Sequence, residues 1–535
     1  MNALKFIRRG ILHYKLSYLG VGAGAVLGAT VLLGALIAGD SVKETLREVA
    51  RQRVGQVEQV FVAGEGFFRD ALATEVGMGS LRAAPILFLR GQLNSPSRER
   101  GLGRVQILGV DDRFWGFSPG SGEAVVLQSR EVAVNDYLAH ALDLKEDDSV
   151  VLRLQEPGML SRDAPLSGEA EDVISFRATV RAVVGDGQFG RFNLQATQLP
   201  VPTVFVPLSR LQQVVDQPAR ANLILLGAGE DGTSFSGDLA GHIRSRMILE
   251  DYGFSLVDVP LAEATEIRSA RIFFEAPIVE AIRARFPGTV PVTSYLVNTY
   301  AANGKETPYS MVAAVRSQGA PFLPEPFLKE DIVINDWLAE DLEVEVGEEI
   351  SLAFFRLVRG NQLEEATAGF RVHGIVAREG LAADQLWMPD FPGVAEAEDA
   401  QDWAPGLPLD LGRIRQKDED YWDDYRTTPK AFIPLEVGQQ LWGSRWGQLT
   451  SVRLFPDNID ANDSSERLFE LEEQFRETFR SSLDPLASGF VVYPARSLAL
   501  EASAGATDFG LYFIYFSFFL VVSALLLASL FFRLG

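Results

Sequence analysis

Few residues in this chain could run a reaction. Cysteine is absent, which removes thiolate nucleophiles, disulfides, Cys-based zinc sites and iron–sulfur clusters. The four histidines, His13, His140, His242 and His373, have no histidine or carboxylate at metal-ligand spacing, and no HExxH is present. There is no GxSxG nucleophile turn and no GxxxxGK[ST] phosphate loop. GTSFSG at 232–237 has the wrong form for the first. DNIDANDSSE at 457–466 is acid-rich but lacks the glycine and glutamate spacing of a calcium loop, so it reads as a solvated turn. QKDEDYWDDYR at 416–426 could offer carboxylates to a cation, but reads first as a solvated acidic loop. No catalytic, cofactor or metal residues are assigned, and the expectation is a protein that is not an enzyme.

The elements around these residues are more informative. Residues 19–38 and 509–532 are uncharged apolar runs of 20 and 24 residues, long enough as helices to cross a bilayer core of roughly 30 Å. Lys5, Arg8, Arg9 and Lys15 precede the first and Arg533 follows the second, whereas Asp40, Glu44 and Asp508 lie on the far side. Positive flanks stay cytoplasmic, so the N-terminus is placed inside and 39–508 outside. Removing these five inner charges from the net −23 leaves the outer segment at −28. Such a balance excludes nucleic acid as a partner. A cleaved signal peptide is the alternative for the first run, but its length exceeds the usual apolar region.

Residues 1–18 read as a cytoplasmic amphipathic helix, with Leu4, Ile7, Ile11 and Leu12 in a stripe beside the basic residues. Gly20, Gly24 and Gly28 fall on one face of the first span and could let another helix approach closely, or could simply reflect the frequency of glycine in membrane helices. Residues 39–60 read as an amphipathic stalk helix and 496–508 as a return stalk.

The outer segment repeats itself. EVAVNDYLAHALDLKEDDSVVLRLQE at 131–156 aligns without gaps on DIVINDWLAEDLEVEVGEEISLAFFR at 331–356, giving strand, Asn-Asp helix start, short helix, turn and strand. Asn fits the start because its side chain accepts from free helix N–H groups. TVFVPLSRLQQVV at 203–215 matches AFIPLEVGQQLW at 431–442, and VQILGVD at 105–111 more weakly matches SMVAAVR at 310–316. The reading is an α+β class: two related α+β units, 61–270 and 271–495, the second opening on a helix within 271–286 and carrying an insertion near 385–428.

LGALIAGDSVKETLREVARQRVG at 33–55, LGVDDRFWGF at 108–117, VNDYLAHALDL at 134–144, TSYLVNTYAANGKETPYSMVAAV at 293–315 and INDWLAEDLEVEVGEEI at 334–350, together with the arrangement of spans, resemble the MacB/FtsX-like ABC transporter permeases, especially large bacterial members. The resemblance implies a bacterial inner-membrane permease, pairing with a second permease as a homo- or heterodimer, embedded in membrane lipid. A cytoplasmic ABC ATPase partner would drive motion through the stalk to the outer body. It implies cargo or targets such as lipoproteins, drugs, peptides or cell-wall hydrolases. That family has four membrane helices where this chain supplies two, so either this is an N-terminal fragment, the favoured expectation, or the remaining spans lie on another chain. The competing readings are a membrane-anchored extracytoplasmic sensor or adaptor without energy coupling and, less favoured, an anchored hydrolase.

Overall fold

In helix α1 (Ala3–His13) the side chains of Ile7, Ile11 and Leu12 are all more than half exposed. Helix α2 (Lys15–Val54) follows as one unbroken rod of 40 residues, and its apolar stretch is not buried against protein. At the helical rise it is about 60 Å long, twice the bilayer core. The computed structural model describes residues 3–535 apart from 65, 78–80, 98, 121–123, 156–172, 196, 198, 230, 231, 236, 359–361, 396, 445, 456–463, 483–488, 504–514, 516, 520, 524, 527, 528, 531, 532, 534 and 535. Among the described residues α2 is the one helix long and apolar enough to cross a membrane. The second span read at 509–532 falls mostly outside the described residues, and so does most of the acid-rich segment 457–466.

The helix stops at Val54, short of the limit of 60 read for the stalk helix. Gly55 takes a positive φ of 59°, and Val57 and Val60 are fully buried on the strand side. Their apolar rhythm belongs to the core, not to a continuing helix face.

The strands in the first half of the chain are β1 (Gln59–Ala63), β2 (Phe68–Arg69), β3 (Leu81–Ser95), β4 (Arg100–Val110), β5 (Glu131–Asn135), β6 (Ser149–Gln155), β7 (Val173–Val184), β8 (Thr203–Pro207), β9 (Arg220–Ala221) and β10 (Leu223–Ala228). Those in the second are β11 (Phe254–Val259), β12 (Ala264–Ser269), β13 (Val290–Ala302), β14 (Lys305–Val315), β15 (Asp331–Asn335), β16 (Glu349–Val358), β17 (Gln362–Val376), β18 (Ala431–Pro434), β19 (Ser451–Leu454) and β20 (Phe490–Tyr493).

Among the described residues eighteen of them form two nine-stranded sheets, ordered β20-β1-β10-β3-β4-β8-β5-β7-β6 and β11-β12-β19-β13-β14-β18-β15-β17-β16, while β2 and β9 pair separately. In the first, β3 also pairs with β6; in the second, β13 pairs with β16. Six strands of each sheet therefore close into a ring, leaving three as an extension. Pair by pair the two rings agree in direction: β4–β8 and β5–β7 are parallel, as are β14–β18 and β15–β17, and the other ring pairs are antiparallel. Closure removes the open edges that a six-stranded sheet would otherwise expose.

The gapless repeat lies within these rings. β5 leads to the helix Asp136–Leu142 and then β6; β15 leads to the helix Asp336–Leu342 and then β16. Asn135 Oδ1 accepts from Leu138 N at 3.0 Å and Asn335 Oδ1 from Leu338 N at 2.8 Å. Each helix ends on a left-handed residue, Asp143 or Glu343. β8 and β18 each end on a proline that opens a short helix. The helix read within 271–286 spans Ala276–Arg285, starting where Pro277 can serve as an early helical residue; Phe273 and Phe274 before it are core residues.

Strand ownership crosses the boundaries drawn at 270/271 and 495. β11 and β12 join the second sheet through β19, and β20 returns to the first by pairing with β1. Phe490 stacks on Phe61 with ring centroids 5.3 Å apart, covering an apolar face that β1 would otherwise leave open. The extensions share one core, in which Phe61, Leu72, Phe274, Ile278, Val452 and Phe490 pack together.

Candidate functional site

Three places in the fold combine strict geometry with buried polar groups. The first is the junction between α2 and the first ring. Ala50 and Val54 pack into one cluster with Phe114, Phe117, Phe189 and Phe205. The helix Ala495–Ser503, which follows β20 and precedes the second apolar run, contributes Ala495 and Ala499 to the same cluster. Arg496 N donates to Glu58 O at 3.2 Å and Gln56 N to Phe117 O at 2.8 Å. A Cβ at Gly55 would collide with the Phe117 carbonyl and lie 2.6 Å from the Phe189 ring. Glycine is required there both for φ and for space.

The second place is the insertion. QKDEDYWDDYR is not a solvated loop: Gln416–Tyr425 is a helix whose Asp418, Glu419, Tyr421 and Trp422 are buried. Its acids are buried because they have partners. Asp418 accepts from Arg415 Nε at 2.7 Å, and Glu419 accepts from the backbone of Ala400 and Gln401 at 2.9 and 3.1 Å. Asp341, on the repeat helix, accepts from Arg415 at 2.6 Å, from Thr307 at 2.6 Å and from Lys417. Burial alone would raise the Asp341 pKa; these hydrogen bonds outweigh it and lower it.

Beneath this helix lies Lys430, the residue before β18, with its side chain 2% exposed. Its ammonium sits 3.8 Å from the Trp337 ring centroid, 4.4 Å from that of Tyr421 and 3.8 Å from Asp418 Oδ1. Removal from water disfavours the charged form more than Asp418 and Asp341 favour it, and the pKa falls from 10.5 to about 7.

The third place is the meeting of the two extensions. Arg453, fully buried, donates to Glu266 at 2.8 Å and Asp384 at 3.1 Å and lies 3.6 Å above the Trp387 ring. Glu266 also accepts from Arg268 Nε at 2.9 Å. Across the junction, Arg69 grips buried Asp251 through Nε at 3.0 Å and Nη2 at 2.7 Å. Desolvation opposes the Arg69 charge, but the bonds from Asp251 and Glu75 hold its pKa above the usual arginine range.

The residues singled out in the sequence are scattered. Gly20, Gly24 and Gly28 lie within α2, and a Cβ at Gly28 would meet nothing within 4 Å. His242 Nε2 lies 3.1 Å from Val76 O, and His373 Nδ1 lies 3.3 Å from Asp331. Among the described residues no group of three or more His, Asp or Glu side chains is placed to hold a metal ion. The network around Arg453 had no local signal, because its members come from residues 266, 268, 384 and 453. Lys430 carries no local signal either: it follows Arg-Thr-Thr-Pro and only its C-terminal side, AFIP, is apolar.

No family model and no curated protein matches the chain. Solved structures similar to it include the periplasmic region of MacB from Actinobacillus actinomycetemcomitans, at 12% identity and a TM-score of 0.23 over 34% of this chain and 80% of that one. The extracellular domain of the noncanonic ABC-type transporter YknZ from Gram-positive bacteria aligns at 8% identity and a TM-score of 0.22, over 33% and 85% of the two chains. A domain of a putative permease protein from Porphyromonas gingivalis aligns at 9% identity and a TM-score of 0.22, over 34% and 76%.

Proposed function

We propose that this chain is the membrane subunit of an ABC transporter of the MacB/FtsX-like kind. In this reading α1 lies on the cytoplasmic face of a bacterial inner membrane and residues 39–508 form the body outside. A cytoplasmic ATPase drives a pair of permeases, embedded in membrane lipid, and the motion reaches the body through α2 and the helix Ala495–Ser503. The observation that carries the reading is the continuity of α2. One 40-residue helix runs from the apolar span to buried Ala50 and Val54 without a break, so a tilt at the membrane is delivered to the first ring undiminished. The return helix packs in the same aromatic cluster, so relative movement of the two spans would act on one body from two sides.

The test uses the absence of native cysteine. Labels on Arg47→Cys and Arg496→Cys in the full chain, extracted in mild detergent with its partners, should report a spacing that changes when ATP is added. An Ala50→Cys/Ala499→Cys disulfide should abolish the change. If no ATPase co-purifies and the spacing is indifferent to nucleotide, the coupled reading fails and an uncoupled sensor or adaptor replaces it.

A further inference from the structure

Three chambers, each sharing wall residues with the next, lie between the junction of the two sheets and the buried lysine. The first, of about 400 Å³, lies between Arg220, Glu250, Phe254 and Arg268. A second, of about 280 Å³, shares Arg268 and Asp390 with the first and is walled by Met388 and Trp422. A third, of about 20 Å³, shares Trp422 and Arg426 with the second and ends at Lys430 and Trp403. The buried Trp403 Nε1 lining that end has no hydrogen-bond partner among the described residues.

Charge is distributed unusually around these chambers. The chain carries a net charge of −23, yet three arginines line the two larger chambers, against Glu250 and Asp390. Arg268 is the most constrained of them. Its Nε is held by buried Glu266 and its Nη2 donates to Leu386 O at 3.2 Å. The side chain is 7% exposed, and its Nη1 meets the 79%-exposed Asp390 at 3.2 and 3.3 Å. These contacts are longer than a good charge-assisted bond. Asp390 is thus a loosely held, solvated carboxylate at a guanidinium built into the fold.

Arg426 adds a second sign. Its φ of 49° with ψ of −123° is a backbone conformation that non-glycine residues avoid, and such strain concentrates at binding sites. It is held there by Nη1 donating to Glu398 O at 2.8 Å and by stacking on Trp422.

We propose that the two larger chambers, which meet at Arg268, bind a carboxylate carrying an apolar group. The ligand carboxylate takes the place of Asp390 on Arg268, and the apolar part lies on Met388 and Trp422. The chambers are of a size suited to small ligands, and sites of this kind favour junctions between folded units. The proposal holds with or without energy coupling, so it stands or falls separately from the transporter reading. Fatty acids and peptide C-termini both present this chemistry.

The experiment is a titration of the full chain in nanodiscs, read by tryptophan fluorescence with empty nanodiscs subtracted. The probes are octanoate and N-acetylphenylalanine, each paired with its amide. At least one acid should bind at least tenfold more tightly than its amide. Asp390→Asn, and likewise Asp390→Ser, should tighten that binding about two- to fivefold by removing a solvent-exposed competitor; the changed side chain is exposed, and unaltered melting temperatures would show the fold intact. Binding of octanoate alone assigns the fatty-acid source, and binding of N-acetylphenylalanine alone the peptide source. Equal binding of acid and amide, no binding of either acid, or no tightening in the Asp390 variants overturns the proposal.

Discussion

Raising the pH from 7 to 9 should stabilise the second ring, and Lys430→Met should erase that gain. Lys430 faces Asp418, Arg415 and Lys417 of the insertion and Asp341 of the repeat helix, with Tyr421 and Trp337 on its flanks. Burial dominates this set and brings the pKa from 10.5 to about 7. The sign follows from proton counting. Between pH 7 and 10 the unfolded chain holds the lysine proton and the folded chain progressively does not, so folding gains stability as pH rises. Integrating over pH 7 to 9, with half the folded molecules already neutral at 7, gives about 2 kcal/mol. For a unit of roughly this size that is a rise of about 4–8 °C in melting temperature. The assay is thermal unfolding of the full chain at both pH values. Lys430→Met shifts the baseline by removing the ring contacts, while Asp418 keeps Arg415, so the readout is the pH-dependent difference between wild type and variant. If both shift by the same amount, another group titrates and the assignment to Lys430 is wrong.

Two substitutions test the other buried sites. Arg453→Met leaves Asp384 and Glu266 with one charged partner fewer inside the junction and should cost about 3–5 kcal/mol; a loss below about 1 kcal/mol in denaturant titration would mean the network is dispensable. Gly55→Ala places a methyl against the Phe117 carbonyl at a positive φ and should cost at least about 1–2 kcal/mol from the backbone conformation alone, with the loss appearing as a lower melting temperature. An unchanged melt would show that the end of α2 can shift without strain.

The strand–helix–strand segments within each ring were legible because their signals are local; the closure of the rings was not. An Asn-Asp pair after an apolar run marks a helix start whatever surrounds it, since the carboxamide satisfies an N–H that the helix cannot. A proline closing a strand marks the end of its ladder in the same way. The insertion helix was not legible for the opposite reason. Its buried positions include Asp418 and Glu419 as well as Tyr421 and Trp422, so a reading that equates burial with apolar type places the wrong residues inside. The partners that permit this burial lie in other elements: Asp341 on the repeat helix, Lys430 before β18, and the backbone at Ala400. The return of β20 to the first sheet was hidden likewise, since its four residues identify a strand but not the edge it will cover.

The two rings share a backbone plan and differ in what their cap residues read. Asn135 and Asn335 both use Oδ1 to start the following helix. The amide half of each side chain is then free to report on something else. In the first ring Asn135 Nδ2 donates to the carbonyls of Gly190 and Val201, both at 2.8 Å. In the second, Asn335 Nδ2 donates to Tyr421 Oη at 3.0 Å, and that hydroxyl donates onward to Thr428 O at 3.2 Å. The first ring therefore closes on its own loop, while the second closes on the insertion. Asp341, on the helix that Asn335 caps, and Lys430, just before β18, engage the same insertion. A displacement of the insertion must accordingly disturb a helix cap, a buried cation and a carboxylate cluster together.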